Sequence, residues 1–350
     1  MTGTRRALLT AMGGVAAALA LGVVLLAVFG YQPFEAYAGL AHSSVDGHRA
    51  VADTARNAVP LVLCGLSASL AFATGPVNLG QPGQFLAGAM AAVLGGIHVP
   101  GPAIVVVPVC LLLAGSAGAL WAGLAGIVRR YFGMDEFIVT LMLNFIADYL
   151  TQWLIAGPLA DPARAAPTTR AVRPAAFLPT VGRWSVGVPV TAMVAAALWF
   201  LVHRTTVGYE WRMAGRAPRF ARLGGVDVER NVLAILAVSG GLAGLGGGML
   251  ALAGPHRFVR GIGGNYGWDG VMIAVVAASG LAATVLFGLF FSALQTGAIG
   301  MELRSEVPTE FVQMLQATVV LVTVAVRGIL SGAWSALLAR RRALARSRPG

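Results

Sequence analysis

The sequence predicts an all-α integral membrane protein of about ten transmembrane helices, including broken or re-entrant half-helices, with an inverted internal repeat. Three observations carry this reading. Hydrophobic residues make up 57% of the 350 residues and charged residues only 11%, under half of the ~25% that soluble domains carry, and mean hydropathy is +0.77. The apolar residues fall in long blocks punctuated by Arg, Pro and Gly, unlike the alternation of a membrane β-barrel. Two motifs of the form N-x-G-x-x-G, Asn78 to Gly83 and Asn265 to Gly270, each run directly into an apolar half-helix.

The first apolar block, residues 7–29, follows Arg5 and Arg6 and is too long for a signal-peptide h-region, so it is read as an uncleaved first helix. Further blocks lie at 58–73, 83–97, 102–128, 136–156, 187–203, 229–253, 268–280, 281–299 and 309–326. The second, third, eighth and ninth of the ten are short and interrupted by Gly or Pro, which marks them as half-helices or re-entrant segments. With the N-terminus in the cytoplasm the C-terminus returns there. Most of the 25 arginines then lie inside, among them Arg5, Arg6, Arg129, Arg130 and the tail residues Arg340, Arg341, Arg342, Arg346 and Arg348, with few acids beside them. The chain reads as one transmembrane domain. Residues 1–56 hold the first helix and an external segment, 57–326 the core, and 327–350 a basic cytoplasmic tail. Five prolines (Pro158, Pro162, Pro167, Pro174, Pro179) disfavour helix in the external loop 157–186, which either meets a partner or merely connects.

Composition also excludes chemistry. The chain has no Lys, so it holds neither a Walker A loop for ATP nor a Schiff-base amine. Its net charge of +11 reflects membrane orientation, since basic nucleic-acid binders are not this apolar. Cys64 and Cys110 sit in apolar runs as small hydrophobes, and the five His are scattered singly, so metal catalysis has no support.

In the charge-derived topology the first N-x-G-x-x-G lies towards the cytoplasm and the second towards the outside, as in an inverted repeat whose half-helix N-termini contact polar ligand groups near the midplane. No β-α-β pattern surrounds either copy, which removes the dinucleotide-binding reading. Gly240, Gly244 and Gly248, and likewise Ala114, Gly118, Ala122 and Gly126, recur at four-residue spacing and suit close helix packing. Asn144 and Asp148 lie one turn apart in the fifth span; the carboxylate marks a pathway or relay, or is locally paired beside a cavity. Between the sixth and seventh spans, within the loop 204–228, Pro218 suits a helix start and Gly224 and Gly225 its end. This short cytoplasmic helix presents Arg219, Phe220, Arg222 and Leu223, with Arg212 and Arg216 just before it, to a soluble partner or to anionic membrane lipid.

Together these residues resemble the permease subunits of ABC importers in the branched-chain amino acid and simple-sugar group, closest to the nucleoside-type permeases that work with basic-membrane-protein lipoprotein receptors. The similar stretches are Gly65-Leu66-Ser67 through Phe72, Asn78 through Phe85, Met142-Leu143-Asn144-Phe145-Ile146 leading to Gly157-Pro158-Leu159, and Gly208 to Val226. The resemblance implies a non-catalytic transport subunit that pairs with a second permease, identical or a sister. It implies an extracytoplasmic substrate-binding lipoprotein, and a cytoplasmic ATPase that holds ATP and Mg, so that this chain binds no cofactor. The Gly208–Gly225 stretch would be the coupling helix. Two departures stand out: the family usually has Glu where Pro82 stands, and Asn where Ala217 stands, which gives up a helix cap of ~1 kcal/mol.

On this reading the chain is a multi-pass importer permease of a bacterial-type cell membrane for a nucleoside or related sugar-like solute. Its expected substrate path comprises Asn78, Gln81, Gln84, Asn144, Asp148, Asn265, Trp268 and Asp269. The alternatives are a simple-sugar or branched-chain amino acid permease of the same kind, a proton- or ion-coupled transporter titrating Asp148 or Asp269, and a membrane scaffold that recruits a partner through the Gly208 loop.

Overall fold

The computed structural model describes the backbone of residues 2–346 and the side chains of residues 13–328; the arginines expected at either extremity, Arg5, Arg6 and those from Arg340 to Arg348, have side chains outside the described residues. Thirteen α-helices run in order: α1 (Thr2–Val28), α2 (Pro33–Val45), α3 (Gly47–Thr74), α4 (Gln81–His98), α5 (Ala103–Phe132), α6 (Glu136–Ala156), α7 (Gly187–Arg204), α8 (Thr206–Arg216), α9 (Pro218–Leu223), α10 (Val228–Ala253), α11 (Tyr266–Val276), α12 (Leu281–Ser305) and α13 (Glu310–Arg346). Among the described residues, seven of these, α3, α5, α6, α7, α10, α12 and α13, are long and apolar enough to cross a membrane. The chain is an all-α integral membrane protein.

All ten expected blocks are helical, but two of the four read as short are not. The block at 58–73 is the end of the 28-residue α3, and that at 281–299 belongs to the 25-residue α12. Pro60 lies inside α3 without ending it, and α10 packs beside it with Gly246 against the Pro60 carbonyl. The other two are short: α4 has 18 residues, two of them glutamines in its first turn, and α11 only 11.

The contacts divide the chain into two units. In the larger, residues 44–296, α3 and α10 form the axis: 83% and 67% of their apolar windows are buried, against 28% for α5, 28% for α6 and 22% for α7. Small residues let α10 and α5 run antiparallel almost in contact. A Cβ on Gly240 would lie 2.4 Å from the Gly118 carbonyl oxygen, one on Gly244 the same distance from that of Ala114, and one on Gly248 2.5 Å from the Ala114 Cβ. With no side chain between them, the backbones approach until van der Waals contact is made along the whole stripe.

One end of this unit carries α8 and α9; the opposite end carries residues 157–186. That proline-rich segment has a single 3-10 turn at Pro174–Ala176 and a two-residue hairpin, β1 (Thr180–Val181) with β2 (Trp184–Ser185). Its backbone is tied down by Thr169 N donating to Phe258 O, Arg173 N to Gly96 O and Leu178 N to Leu252 O, so it forms a fixed cap over α4 and α10.

The smaller unit joins residues up to 43 with those from 297 onward. Here α1 packs on α13, with Gly14 against Thr323, and the Tyr37 hydroxyl donates to the Leu19 carbonyl at 3.0 Å.

Candidate functional site: two converging helix starts and a paired helix at one end

The segment 75–80 leaves α3 through Gly75 (φ +117), a conformation L side chains avoid, and climbs to α4 without forming helix. Its polar groups are satisfied by side chains. Asn78, wholly buried, donates through Nδ2 to Ser239 Oγ at 2.8 Å and Gln84 Oε1 at 3.1 Å, and its Oδ1 accepts from Gly80 N and Gln84 Nε2, both at 2.9 Å. Ser239 in turn donates to the Ser67 carbonyl at 2.8 Å, which locks α10 to α3 beside this cluster.

The start of α4 is capped in trans. Pro82 removes one of the orphan donors of the first turn, Gly83 N donates to Asn144 Oδ1 at 2.9 Å, and Asn144 Nδ2 donates to Leu79 O at 2.8 Å. Three residues of α6 spaced by four therefore hold this segment in order: Glu136 accepts from Val77 N (3.2 Å), Thr140 from Leu79 N (3.3 Å) and Asn144 from Gly83 N. Gln81 is buried too; its Nε2 donates to the Asn78 carbonyl at 3.0 Å, and its Oε1 has no partner among the described residues.

The second motif arrives from the opposite end. Residues 254–265 descend from the end of α10, α11 starts at Tyr266, and a Cβ on Gly267 would lie 2.5 Å from Pro82 N. Gly270 sits as tightly on Cys64 of α3. The two short helices thus begin against each other, and their entry residues stack: the rings of Phe85 and Tyr266 lie 5.7 Å apart, 14° from parallel. Asp269 is buried and accepts from Gln295 Nε2 at 2.8 Å, whereas Asn265 and Trp268 are exposed at the α11 start.

The structure accordingly brings Asn78, Gln81, Gln84 and Asn144 into one buried cluster, sets Asp269 beside the junction, and leaves Asn265 and Trp268 open. Asp148 is separate: it is exposed on the far face of α6, and its Oδ2 accepts from Gln152 Nε2 at 2.7 Å. From Asn144 the buried face of α6 continues through Ala147, Thr151 and Ile155, and Asp148 lies beyond its edge. Thr140, Glu136, Ser239 and Gln295 belong to these contacts and carry no motif that would single them out, whereas Ser67 lies in a family-like stretch and Tyr266 in the second N-x-G-x-x-G, neither of which gave it a role.

At the other end, α8 and α9 form a bent pair. Thr205 caps α8, its hydroxyl accepting from Gly208 N at 3.2 Å; Pro218 opens α9 behind Ala217, which offers no side-chain cap; Gly224 and Gly225 (φ +82) close it. Trp211, Ala214 and Ala221 face inward, while Arg216, Arg219, Phe220, Arg222 and Leu223 face out, Phe220 at 66% and Leu223 at 89% exposure. Arg212 is half-buried, its Nε donating to the Gly208 carbonyl at 3.2 Å. Under α8 lies a cavity of about 440 Å³ bounded by Phe72, Gly75, Arg212, Gly215 and Gly280.

Residues 50–325 match the family described as the branched-chain amino acid transport system permease component. The guanosine ABC transporter permease NupP of Bacillus subtilis is 32% identical, over 87% of this chain and 89% of its own. A glucose ABC transporter permease of Haloferax volcanii is 30% identical over 88% and 84%, and the nucleoside ABC transporter permease NupB of Lactococcus lactis 26% over 86% of each. No solved structure matches the chain.

Proposed function

The chain belongs to the permease-component family of branched-chain amino acid transport systems, and from that premise we propose that it carries a nucleoside, or a related sugar-like solute, through the junction where α4 and α11 begin. As a member it is a multi-pass ABC importer permease, a transport component and not a catalyst, which works with an ATPase and a substrate-binding protein. The absence of Lys fits ATP and Mg being held by the ATPase alone.

The observation that carries the proposal is the convergence of the two N-x-G-x-x-G helix starts from opposite ends, Gly267 on Pro82. Broken helices of this kind place polar backbone and helix N-termini where a solute passes. Asn78, Gln84 and Asn144 act there as the frame, because their hydrogen bonds are spent on the protein. Asn265, Trp268, Asp269 and the spare acceptor of Gln81 remain to meet a hydroxylated ring and its base. The names of two relatives, guanosine and nucleoside permeases, favour a nucleoside; the glucose permease keeps a free sugar as the second reading.

In this reading α8 and α9 are the coupling element. Arg212, Arg216, Pro218, Arg219, Phe220, Arg222 and Leu223 seat in the ATPase, both termini lie in the cytoplasm, residues 157–186 face an extracytoplasmic lipoprotein, and residues 327–350 follow the core as a basic cytoplasmic tail. A second permease, identical or a sister, completes the pathway, and residues 1–350 form a single permease domain.

The test is uptake of radiolabelled guanosine, glucose and leucine into vesicles containing this chain with its ATPase and receptor, the ATPase being wild type or lacking its Walker A Lys. Guanosine uptake lost with the variant ATPase supports the proposal; glucose or leucine uptake in its place reassigns the substrate. Uptake that ignores the ATPase and follows a proton gradient refutes it.

A further inference from the structure

We propose that Glu136 is a positioning residue that ties the coupling helix to the unwound segment before α4, through a chain of ion pairs running from Arg222 through Glu229 and Arg129. The inference rests on the reading of α9 as the ATPase-facing element and adds how its position reaches the solute junction.

The chain is continuous. Arg222 of α9 approaches Glu229 of α10 at 3.6 Å, Arg129 of α5 approaches the other oxygen of Glu229 at 3.6 Å, and Arg129 pairs with Glu136 at the start of α6. The free oxygen of Glu136 accepts Val77 N, the first rung of the α6 ladder that continues through Thr140 to Asn144 and the start of α4. Side-chain exposure falls steadily along it, 61% at Arg222, 38% at Glu229, 29% at Arg129 and 9% at Glu136. Its outer end therefore meets water or a partner, where ion pairs exchange easily, and its inner end lies where removing one partner leaves a charge exposed to low dielectric.

The same segment is held from its other end by α8. A Cβ on Gly75 would lie 2.5 Å from Gly215 Cα, and one on Gly215 2.1 Å from the Thr74 carbonyl oxygen, so the end of α8 rests directly on the bend where the segment begins. Residues 75–80 are thus gripped by both halves of the coupling element: by contact at Gly75, and through charges at Val77. Four helices meet in this chain of three ion pairs and one hydrogen bond, and a shift of α9 acts first on its outermost pair, Arg222 with Glu229.

The measurement is guanosine taken up per ATP hydrolysed in proteoliposomes of the full complex, for Glu136→Gln, Glu229→Gln and the double variant. Gln keeps an acceptor for Val77 N and removes the charge. Each single change is expected to lower uptake per ATP about 5-fold or more while receptor-stimulated hydrolysis persists, and the double variant to be no worse than the poorer single one, as members of one chain are non-additive. An unchanged ratio, a fall in hydrolysis equal to the fall in uptake, or additive losses would overturn the relay. If Glu136→Gln fails to fold, Glu229→Gln at the more exposed part carries the test. Wild-type uptake that ignores the ATPase sinks the importer reading itself; ATP-driven wild-type uptake with unaffected variants sinks only the relay.

Discussion

Asn78 and Gln84 exchange two side-chain amide hydrogen bonds, at 3.1 and 2.9 Å, across the last residues before α4 and its first turn. Neither amide can be turned over without setting like atoms together, because Gly80 N and Ser239 Oγ fix which end of Asn78 faces which way. Asn78→Asp replaces a twice-used donor by an acceptor in a fully buried site. A loss of at least ~1–3 kcal/mol is expected, read as a lower unfolding midpoint of the permease in detergent. An unchanged midpoint would remove the pair from the frame.

Two glycine substitutions should move stability in opposite directions. Gly247→Ala would put a Cβ 2.1 Å from the Phe85 carbonyl oxygen and force α4 away from α10, at a cost of ~1–3 kcal/mol. Gly123→Ala on α5 meets nothing within 4 Å and should gain up to ~1 kcal/mol from helix propensity. Thermal unfolding of the two variants side by side checks the packing at both places.

The outward side chains of α9 give a cleaner separation of folding from coupling. Phe220→Ala and Leu223→Ala should leave the unfolding midpoint within ~0.5 kcal/mol of wild type and weaken ATPase association about tenfold or more together. Titration of the purified ATPase onto the permease reads this directly. Ala217→Asn should supply the missing cap of α9, worth ~1 kcal/mol, and strengthen the same association.

Asp148 is the control for the ion-coupled alternative. Its carboxylate is paired to Gln152 on the outward face of α6, away from the junction of α4 and α11. Asp148→Asn is expected to keep ATP-driven uptake within about twofold and to leave it indifferent to a proton gradient, a change too small to register as more than ~0.5 kcal/mol. A strict gradient requirement in wild type that disappears in the variant would reverse this assignment.

Trp268→Ala tests the open side of the junction. Losing the one large exposed ring at the α11 start should lower guanosine uptake more than receptor-stimulated hydrolysis, since a stacked ring contributes ~1–3 kcal/mol to holding a base. Equal loss of both would place Trp268 in assembly instead.

The fold was legible where the sequence punctuates itself. Pro218 and Gly224-Gly225 bound α9 to within one residue, and the two Asn-Gly motifs mark the starts of α4 and α11. Even there the register differs: α4 begins at the fourth motif residue, Gln81, and α11 at the second, Tyr266, because Asn78 is turned inward to bind the loop while Asn265 takes the N-cap position. What the sequence hides is pairing over distance. Ser239 looks like any small residue in an apolar run, and its role appears only when Asn78, 161 positions earlier, is beside it. Glu136 reads as an ordinary first-turn acid of α6, and nothing local shows that it serves Val77.

The trans capping of α4 also bears on how the protein is made. Chain synthesis delivers Asn78 and Gly83 to the membrane before the partners that fix them to other helices: Asn144 follows Gly83 by 61 residues, and Ser239 follows Asn78 by 161. In the interval Asn78, Gln81 and Gln84 can bond only within their own segment, through the Asn78–Gln84 pair and Gln81 Nε2 on the Asn78 carbonyl, and lipid offers nothing more. The contacts that tie this segment to α6 and α10 can form only after those helices have been made. Order of synthesis thus sets when the frame around the start of α4 can close.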